Sequence, residues 1–401
     1  YTLTLNKNEN IKEVSLSEEN KGDSVYESYK YEQEINISAT IKEQEGYKFA
    51  WSKWTTSNAS LLSEQTNKDT KITMPAGNVT LTANANKTLL TYNITYNLNE
   101  GTNNSQNPST YTVEDTITLK EASKTGYTFA GWYTSASGGT KIQNGYSPDT
   151  STELHAQWKT NGYNISYSLN NGTKGSSAPT SATYDNVVTI SNPTKTVTVT
   201  GDANGTGATV GSPTNGPQTF AGWTASNLNT STAYYGTSNT AVSTKWSDAS
   251  TKVTAQYFKN LNPTSGATVT LTANWTPKVI TTPSLSKTGY TCKWATEKGK
   301  AGTINPGGTF TPTATQGNQT LYAICTINSY TLAIKPNGGS YNGSTDNTIV
   351  TQNYNSLYGL LPSTKTGYKL SNWSLSGGGT LMKGISSGKS TDKSGFSETL
   401  K

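Results

Sequence analysis

Residues 92–98 read YNITYNL, residues 126–132 read GYTFAGW and residues 154–158 read LHAQW, and these three stretches decide the fold. In the first, large apolar side chains alternate with small polar ones, so every second residue from Tyr92 to Leu98 faces one side of an extended strand. The last stretch alternates in the same way. We therefore predict a half-buried β-strand at each end of a small unit, with an aromatic segment between them.

The three stretches recur along the chain, which makes it an array of repeats rather than one large domain. Related opening strands lie at 1–5, 163–169 and 330–334, aromatic segments at 46–51, 219–223, 289–294 and 367–373, and closing strands at 79–83, 269–275 and 321–325. We divide the chain into a divergent repeat at 1–88, a repeat at 89–160, a long repeat with insertions at 161–277, a short unit at 278–327 and a truncated repeat at 328–401.

The later units depart from the pattern. We interpret the Gly-rich stretch TVTVTGDANGTGATV at 196–210 as a hairpin-like insertion in the third unit. The fourth unit lacks an opening strand of the usual type, which puts its independent folding in question. The fifth reaches Trp373 without a closing strand, which we expect beyond residue 401.

Helix signals are sparse along the chain, and the best candidate for a helix is residues 27–34.

The composition fits several small cores. Thr, Ser and Asn occur 71, 45 and 40 times in 401 residues, while hydrophobic residues make up only 31% and charged residues 14%. The 24 Tyr, 9 Trp and 6 Phe are too many for a disordered polar chain. With short connections between units, we predict an extended, semi-rigid rod of small, mainly β domains.

Charge and hydropathy exclude two classes of partner. The net charge is +6, but all 31 basic residues are lysine, and readers of phosphates and base edges rely on the guanidinium fork of arginine. We therefore expect no nucleic-acid binding. No apolar run approaches the roughly 20 residues that span a bilayer, so no membrane insertion is expected within this segment. The chain starts at Tyr1 without a signal peptide, and we interpret it as an internal fragment.

The combination of YxIxYxLNxG, KTGYTFAGW and LxAxW resembles the Listeria–Bacteroides repeat, the B-repeat of internalin-like surface proteins. The second unit carries it most fully, and the first, with ITMPAGNVTLTANA at 72–85, looks like the divergent form. The resemblance implies small β-grasp-like domains in extracellular bacterial proteins and no catalytic residues. We accordingly expect a location on the bacterial cell surface, with cell-wall association through a region outside this chain.

The sequence offers no convincing catalytic centre, and we expect no catalytic residues, no cofactor and no metal site. The only histidine, His155, lies between two inward-facing residues and should point outward, which suits a Ser–His–Asp triad poorly. Asp202 opens a Gly-rich loop that supplies only one carboxylate of a calcium loop. A hydrolase that uses Asp185, Asp202 or Asp248 is a remote alternative.

The two cysteines occupy related positions. Alignment of the aromatic segments places Cys292 at the position of Phe129, and alignment of the closing strands places Cys325 at the position of Trp158. Because both positions should face the same core, we predict a Cys292–Cys325 disulfide, which would suit an oxidising extracellular setting. Closing a loop of about 34 residues would contribute roughly 3–4 kcal/mol. Two buried free thiols are the alternative.

Aromatic residues supply the candidate ligand contacts. Trp132 and Trp158 are predicted to be core residues, with a sugar-stacking platform as the alternative. Tyr234 and Tyr235 are predicted to lie exposed in a polar loop, as possible ligand contacts. We therefore predict a non-enzymatic stalk or adhesive array, with neighbouring repeats as partners in cis and a host or matrix protein or a glycan as a possible external partner. Carbohydrate-binding modules are the alternative.

Overall fold

The computed structural model describes residues 1–58, 61, 67–370, 373 and 396–399. This part of the chain is built from β-strands and contains no α-helix. The helix prediction for residues 27–34 is wrong, because the chain reverses direction there between the strands Ser24–Ser28 and Glu34–Ile41. Glu32, with φ of 67°, lies in the turn between them.

The chain forms two compact units. One comprises Tyr1–Asn161 with Pro263–Ser265, and the other comprises Gly162–Asn262 with Gly266–Lys401. The first unit holds the first and second repeats, and the second unit holds the strands of the remaining three.

The first repeat is a pair of four-stranded sheets. Its strands are β1 Thr2–Lys7, β2 Ile11–Ser15, β3 Lys21–Gly22, β4 Ser24–Ser28, β5 Glu34–Ile41, β6 Tyr47–Thr56, β7 Thr70–Thr73 and β8 Val79–Leu89. The sheet orders are β4-β1-β8-β6 and β3-β2-β5-β7. The opening strand β1 and the closing strand β8 lie side by side and parallel. Trp54 is fully buried between the sheets with Leu3 and Leu81.

The second repeat shows the same plan with one sheet. Its strands are β9 Tyr92–Asn97, β10 Thr110–Tyr111, β11 Tyr127–Tyr133 and β12 Thr152–Thr160. They are ordered β10-β9-β12-β11, with β9 and β12 parallel and the outer pairs antiparallel. The buried cluster includes Ile94, Trp132, Leu154 and Ala156, which confirms the inward-facing positions that the period-2 pattern predicts.

The third repeat returns to two sheets. Its strands are β13 Gly162–Ser168, β14 Ser181–Thr183, β15 Val187–Thr189, β19 Thr219–Ser226, β20 Tyr234–Gly236, β21 Val242–Lys245, β22 Tyr257–Lys259 and β23 Thr268–Thr276. The sheet orders are β14-β13-β23-β19 and β15-β22-β20-β21. Trp223, Trp246 and Phe258 are buried in the shared core.

The fourth repeat takes its opening strand from within the third. Its strands are β16 Thr196–Asp202, β17 Thr209–Val210, β18 Thr214–Pro217, β24 Ile280–Thr281, β25 Leu285–Ser286, β26 Tyr290–Ala295, β27 Thr309–Phe310 and β28 Gln319–Ile327. The main sheet is β18-β16-β28-β26, with β16 parallel to β28. Residues 196–210 do interrupt the third repeat, and β16 pairs antiparallel with β18, as a hairpin-like insertion predicts, but these strands belong to the fourth repeat and not to the third. The interpretation that the fourth repeat lacks an opening strand is wrong, because β16 is that strand.

The two repeats are thus interleaved along the chain. The stretch TVTVT alternates like the other opening strands, and Val197 and Val199 fill the buried positions that Tyr and Ile occupy elsewhere. The strands of the third repeat lie on both sides of β16–β18 in the sequence, so the proposed boundary between 161–277 and 278–327 does not follow the sheets.

The fifth repeat is described in part. Its strands are β29 Ser329–Ile334, β30 Thr348–Asn353, β31 Leu357–Leu360 and β32 Phe396–Thr399, paired as β29–β30 and β31–β32. Tyr341 is buried, and its ring centroid lies 5.6 Å from that of Trp373. The closing strand expected beyond residue 401 lies outside the described residues.

Candidate functional site

The asparagine of the LNxG motif joins the opening strand to the closing strand. The Asn99 Nδ2 donates to the Ala156 carbonyl oxygen at 2.7 Å, and the Asn170 Nδ2 donates to the Ala273 carbonyl oxygen at 2.8 Å. Both asparagines have positive φ, 46° and 48°, a conformation that asparagine tolerates better than most residues. This motif therefore serves the fold.

The glycine of the same motif accommodates the closing tryptophan. A Cβ on Gly101 would lie 2.4 Å from Cζ2 of Trp158, and a Cβ on Gly172 would lie 2.4 Å from the same atom of Trp275. The Trp158 Nε1 donates to the Leu98 carbonyl at 3.1 Å. The indole is thus held against the turn that follows the opening strand.

The aromatic residues of the repeat form a continuous chain of edge-on contacts. In the second repeat, ring centroids are 5.0 Å apart for Tyr96–Trp132, 5.4 Å for Phe129–Trp132 and 5.3 Å for Phe129–Trp158. The third repeat has the same chain, made by Tyr167, Trp223, Phe220 and Trp275. Trp132 is only 3% exposed, which confirms the core prediction, and Trp158 is partly buried at the edge of the cluster.

A disulfide takes the place of the Phe–Trp contact in the fourth repeat. Cys292 on β26 lies directly opposite Cys325 on β28, as Phe129 lies opposite Trp158. The sulfurs are bonded at 2.03 Å and the Cα atoms are 4.1 Å apart. Both cysteines pack with Trp294 in this core, so the structure joins the two positions that the alignments single out.

A one-residue deletion accompanies the cysteine pair. In the second repeat a β-bulge lies between Phe129 and Gly131, which adds a residue before Trp132. The fourth repeat reads GYTCKW, one residue shorter than GYTFAGW, and the pairing of β26 with β28 continues without a bulge. Cys292 and Trp294 therefore stand two residues apart on a regular strand and face the same core.

Tyr234 and Tyr235 lie in strand β20, between β21 and β22, so the prediction of an exposed loop pair is wrong. Successive strand residues point to opposite faces of a sheet. Tyr235 packs toward the core, with its ring centroid 6.4 Å from that of Trp246. Tyr234 lies on the opposite face and is half-buried.

The outer face around Tyr234 carries lysines and a second tyrosine. Tyr234 lies opposite Lys245 on one side and Lys259 on the other, and Tyr257 lies opposite Gly236. We call Tyr234, Lys245, Tyr257 and Lys259 the Tyr–Lys face. The sequence does not reveal this face, because the stretch VTAQY at 253–257 alternates like a closing strand, whereas Tyr257 begins β22 of a separate sheet.

Each of the three aspartates considered as hydrolase residues contacts groups near it: Asp248 and Asp202 accept hydrogen bonds within a turn, and Asp185 forms an ion pair. Asp248 accepts from the backbone nitrogen of Ser250 at 2.8 Å, and this hydrogen bond, with those from the Ser250 and Thr251 hydroxyls, lowers the pKa of the Asp248 carboxyl. Asp202 accepts from the Asn204 nitrogen at 2.7 Å. Asp185 lies 3.6 Å from the Lys259 ammonium.

His155 lies on the outer face of its sheet, as its position in the strand predicts, but its side chain is only 14% exposed. Its neighbours across the sheet are Tyr133 and Asn97, and its Nε2 lies 3.8 Å from the Glu153 carboxylate. Within the described part of the chain, no group of three or more His, Cys, Asp or Glu is placed to hold a metal ion.

At two of the junctions between successive repeats, a glycine allows the next repeat to pack closely. Gly46 has φ of 79°, accepts a hydrogen bond from the Leu90 nitrogen at 2.9 Å, and would place a Cβ 2.2 Å from Val113 of the second repeat. Gly289 also has φ of 79° and would place a Cβ 2.0 Å from the Tyr354 ring of the fifth repeat. At both junctions the next repeat packs where a side chain would otherwise stand.

The junction between the third and fourth repeats is crossed three times by the chain. The Gln218 nitrogen donates to the Lys195 carbonyl at 2.8 Å, and the Lys278 nitrogen donates to Gln218 Oε1 at 2.8 Å. The Lys195 ammonium is buried, donates to the Ala314 carbonyl at 2.8 Å and has its pKa lowered by burial. The three crossings are therefore hydrogen-bonded to one another.

Among the described residues, four repeats pair their opening and closing strands in parallel, which defines an all-β protein built from repeated small sheets. Residues 92–157 match the Listeria-Bacteroides repeat domain, and residues 13–87 match the divergent InlB B-repeat domain. These two segments of the chain are thus repeats of the Listeria–Bacteroides family. No curated protein and no solved structure matches the chain.

The described residues include no helix with the length and hydropathy that a membrane span requires.

Proposed function

We propose that the chain is a non-enzymatic stalk or adhesive segment of an extracellular bacterial surface protein, and that it spaces or presents binding surfaces. The observation that carries this proposal is the direct succession of repeats. Strand β8 ends at Leu89 and β9 begins at Tyr92, while β28 ends at Ile327 and β29 begins at Ser329. Such short connections restrict the motion of one repeat against the next.

The use of the recurrent residues supports the same proposal. The repeated tyrosines, tryptophans, asparagines and glycines serve packing and backbone hydrogen bonds within each repeat. Listeria–Bacteroides repeats occur in extracellular surface proteins. The Cys292–Cys325 disulfide suits the oxidising conditions outside the cell. Attachment to the cell wall would reside in a region outside this chain.

The strand order supports a β-grasp-like assignment of the repeats. In the second repeat, the sheet order is second, first, fourth and third strand, with the two central strands parallel. Irregular chain connects the two hairpin-forming halves in place of a helix. We include this assignment in the proposal, together with an extended rod as the shape of the array.

Small-angle scattering tests the rod. A compact globule of 401 residues would have a radius of gyration of about 21 Å. We expect a value well above this, with a distance distribution that has a long tail. A radius near the globular value would overturn the proposal of a stalk.

An array of glycans and extracellular-matrix proteins, printed at high density to allow avidity, tests for adhesion. A reproducible hit would make the segment adhesive, and a blank array with an extended scattering profile would make it a spacer.

The Tyr–Lys face favours a second candidate function, the binding of acidic glycans. Tyrosine rings stack on sugar faces, and the ammonium group of Lys245 would attract a carboxylate on the sugar, whereas that of Lys259 already pairs with Asp185. The test is binding to acidic and neutral glycans by wild type, Tyr234→Ala and Tyr257→Ala. We expect at least tenfold weaker binding to acidic glycans for both variants. The control Lys252→Gln, on an exposed loop of the same repeat, should bind normally. Equal binding by all four proteins would exclude this candidate.

A further inference from the structure

In the first three repeats, the strands at which the chain enters and leaves are adjacent and parallel. In the third repeat this pairing runs from Asn164–Thr268 to Ser168–Thr272. Tension on the two ends of such a repeat pulls the paired strands past each other along their length. The hydrogen bonds of the pairing share the load and must break together, so a repeat loaded in this way unfolds only at high force.

The fourth repeat receives tension by two routes because its strands are interleaved with the third. One route leads from Lys195 into β16, which is parallel to β28 over four residue pairs, from Val199–Gln319 to Asp202–Tyr322. The other follows the backbone from the end of β23 into β24, β25 and β26, and leaves at Ile327.

The backbone route has the weak geometry. Strands β24 and β25 contain two residues each. Strand β26 is antiparallel to β28, and its first pair, Tyr290–Ile327, stands at the end where the chain also leaves the repeat. Tension applied there opens the pairs one at a time, starting with Tyr290–Ile327, because each pair carries the whole load in turn.

The disulfide lies at the third pair from this end, after Tyr290–Ile327 and Thr291–Thr326. Opening from the end therefore stops after two pairs, and the load then passes through the sulfur–sulfur bond to the last residues of β28. From that point the disulfide also carries load that the hydrogen bonds between β16 and β28 would otherwise bear. We infer that Cys292–Cys325 is a tension-bearing bond that protects the fourth repeat when the array is stretched.

This inference rests on the proposed stalk function only in supposing that the array is under tension in use. A compact scattering profile would reject the stalk and leave the mechanical result standing. Conversely, a negative result in the pulling experiment would leave the stalk proposal standing, because that experiment measures one bond in one repeat.

The test is single-molecule force spectroscopy of the full chain, held by its ends, with and without reductant. The bonded cysteines are 33 residues apart, so reduction should add about 110–120 Å to the fully unfolded length. In the reduced protein, the step that gains this length should occur at lower force than the steps of the first three repeats. Those repeats contain no cysteine and provide the internal control.

The double variant Cys292→Val with Cys325→Val repeats the comparison without reductant and keeps the two positions apolar. Circular dichroism before pulling establishes whether the double variant is folded. If the variant is unfolded, the reduced wild-type protein takes its place in the comparison. The inference is overturned if the fourth repeat, without its disulfide, resists the same force as the first three. Its noncovalent contacts would then bear the load alone.

Discussion

Trp132 is the residue on which the second repeat depends most. It lies 3% exposed in the core, contacts the rings of Tyr96 and Phe129, and its Nε1 donates to the Lys120 carbonyl at 3.0 Å. Loss of a buried tryptophan costs about 3–5 kcal/mol, which is a large part of the stability of a domain this small. We therefore expect Trp132→Ala to unfold this repeat.

Limited proteolysis with mass spectrometry measures this effect, because cleavage should appear within residues 92–160 and not in the first repeat. Tyr26→Ala is the matched control, since Tyr26 is 73% exposed on an edge strand. Its stability should stay within about 0.5 kcal/mol of wild type. A Trp132→Ala protein that resists cleavage at 92–160 would contradict the assignment of this core.

Buried tyrosines, Tyr96 and Tyr167 among them, make the fold sensitive to high pH. Burial raises the pKa of both Tyr96 and Tyr167 to about 12, and each hydroxyl donates to a proline carbonyl at 2.8 Å. A tyrosine whose pKa is higher in the folded than in the unfolded state stabilises fully below pH 10 and loses this contribution as the pH rises to 12. We expect base-induced unfolding in this window.

Tyrosine absorbance and circular dichroism, recorded over pH 9–12.5, provide the measurement. Tyr96→Phe with Tyr167→Phe should shift the transition to higher pH. Full ionisation of the tyrosines near pH 10 with the fold intact would contradict the structural interpretation.

At the level of single residues, the sequence was informative where repeats could be aligned. Cys292 and Cys325 align with Phe129 and Trp158, and this comparison alone brings the two cysteines together. Tyr234 had no counterpart in another repeat. Its polar neighbourhood suggested a loop, although Tyr234 lies in β20, an inner strand of a four-stranded sheet that the third repeat adds to the plan of the second.

At the level of elements, strand β16 shows what periodicity can and cannot determine. The alternation of TVTVT marks a strand that buries Val197 and Val199. It does not identify the partner, and β16 pairs with a strand about 120 residues later, at Gln319–Tyr322. The nearest closing strand in the sequence is β23, which already pairs with β13, so proximity in sequence indicated the wrong repeat.

Deletion of residues 196–217 tests the interleaving. The break is small in space, because the Gln218 nitrogen already donates to the Lys195 carbonyl at 2.8 Å, so the two residues can be joined directly. We expect the third repeat to stay folded and the fourth to lose its structure, since β28 would lack its parallel partner.

Hydrogen exchange gives the readout, as protection of the amides in β28 should fall while protection in β23 remains. If β28 keeps its protection in the deletion variant, β16 is dispensable and the fourth repeat folds from residues 278–327 alone.

At the level of the whole molecule, Gly289 couples the fourth repeat to the fifth within the second compact unit. Alanine there would face two penalties, a left-handed backbone with φ of 79° and a Cβ placed 2.0 Å from the Tyr354 ring. The backbone penalty alone is about 1–2 kcal/mol. We expect Gly289→Ala to displace Tyr354 and to speed proteolysis at the junction between the two repeats.

Gly299→Ala is the matched control for this variant. Gly299 has a similar φ of 81°, but no atom lies within 4 Å of a Cβ placed there. It shares the backbone penalty without the clash, so the junction should be cleaved at the wild-type rate. Equal rates for both variants would show that packing on Tyr354 does not hold the junction.

The interleaving also makes the stability of the fourth repeat depend on the third, with no equal dependence in return. The segment that contains β16, β17 and β18 is tethered at both ends, through Lys195 and Gln218, to strands of the third repeat. Trp223→Ala, which removes a buried ring at a cost of about 3–5 kcal/mol, should therefore reduce hydrogen-exchange protection in β28 as well as in β23. Trp294→Ala, in the core of the fourth repeat, should reduce protection in β28 and leave β23 protected. Loss of β23 protection in Trp294→Ala would mean that the two repeats depend on each other equally. Unchanged β28 protection in Trp223→Ala would mean that they fold independently despite the shared chain.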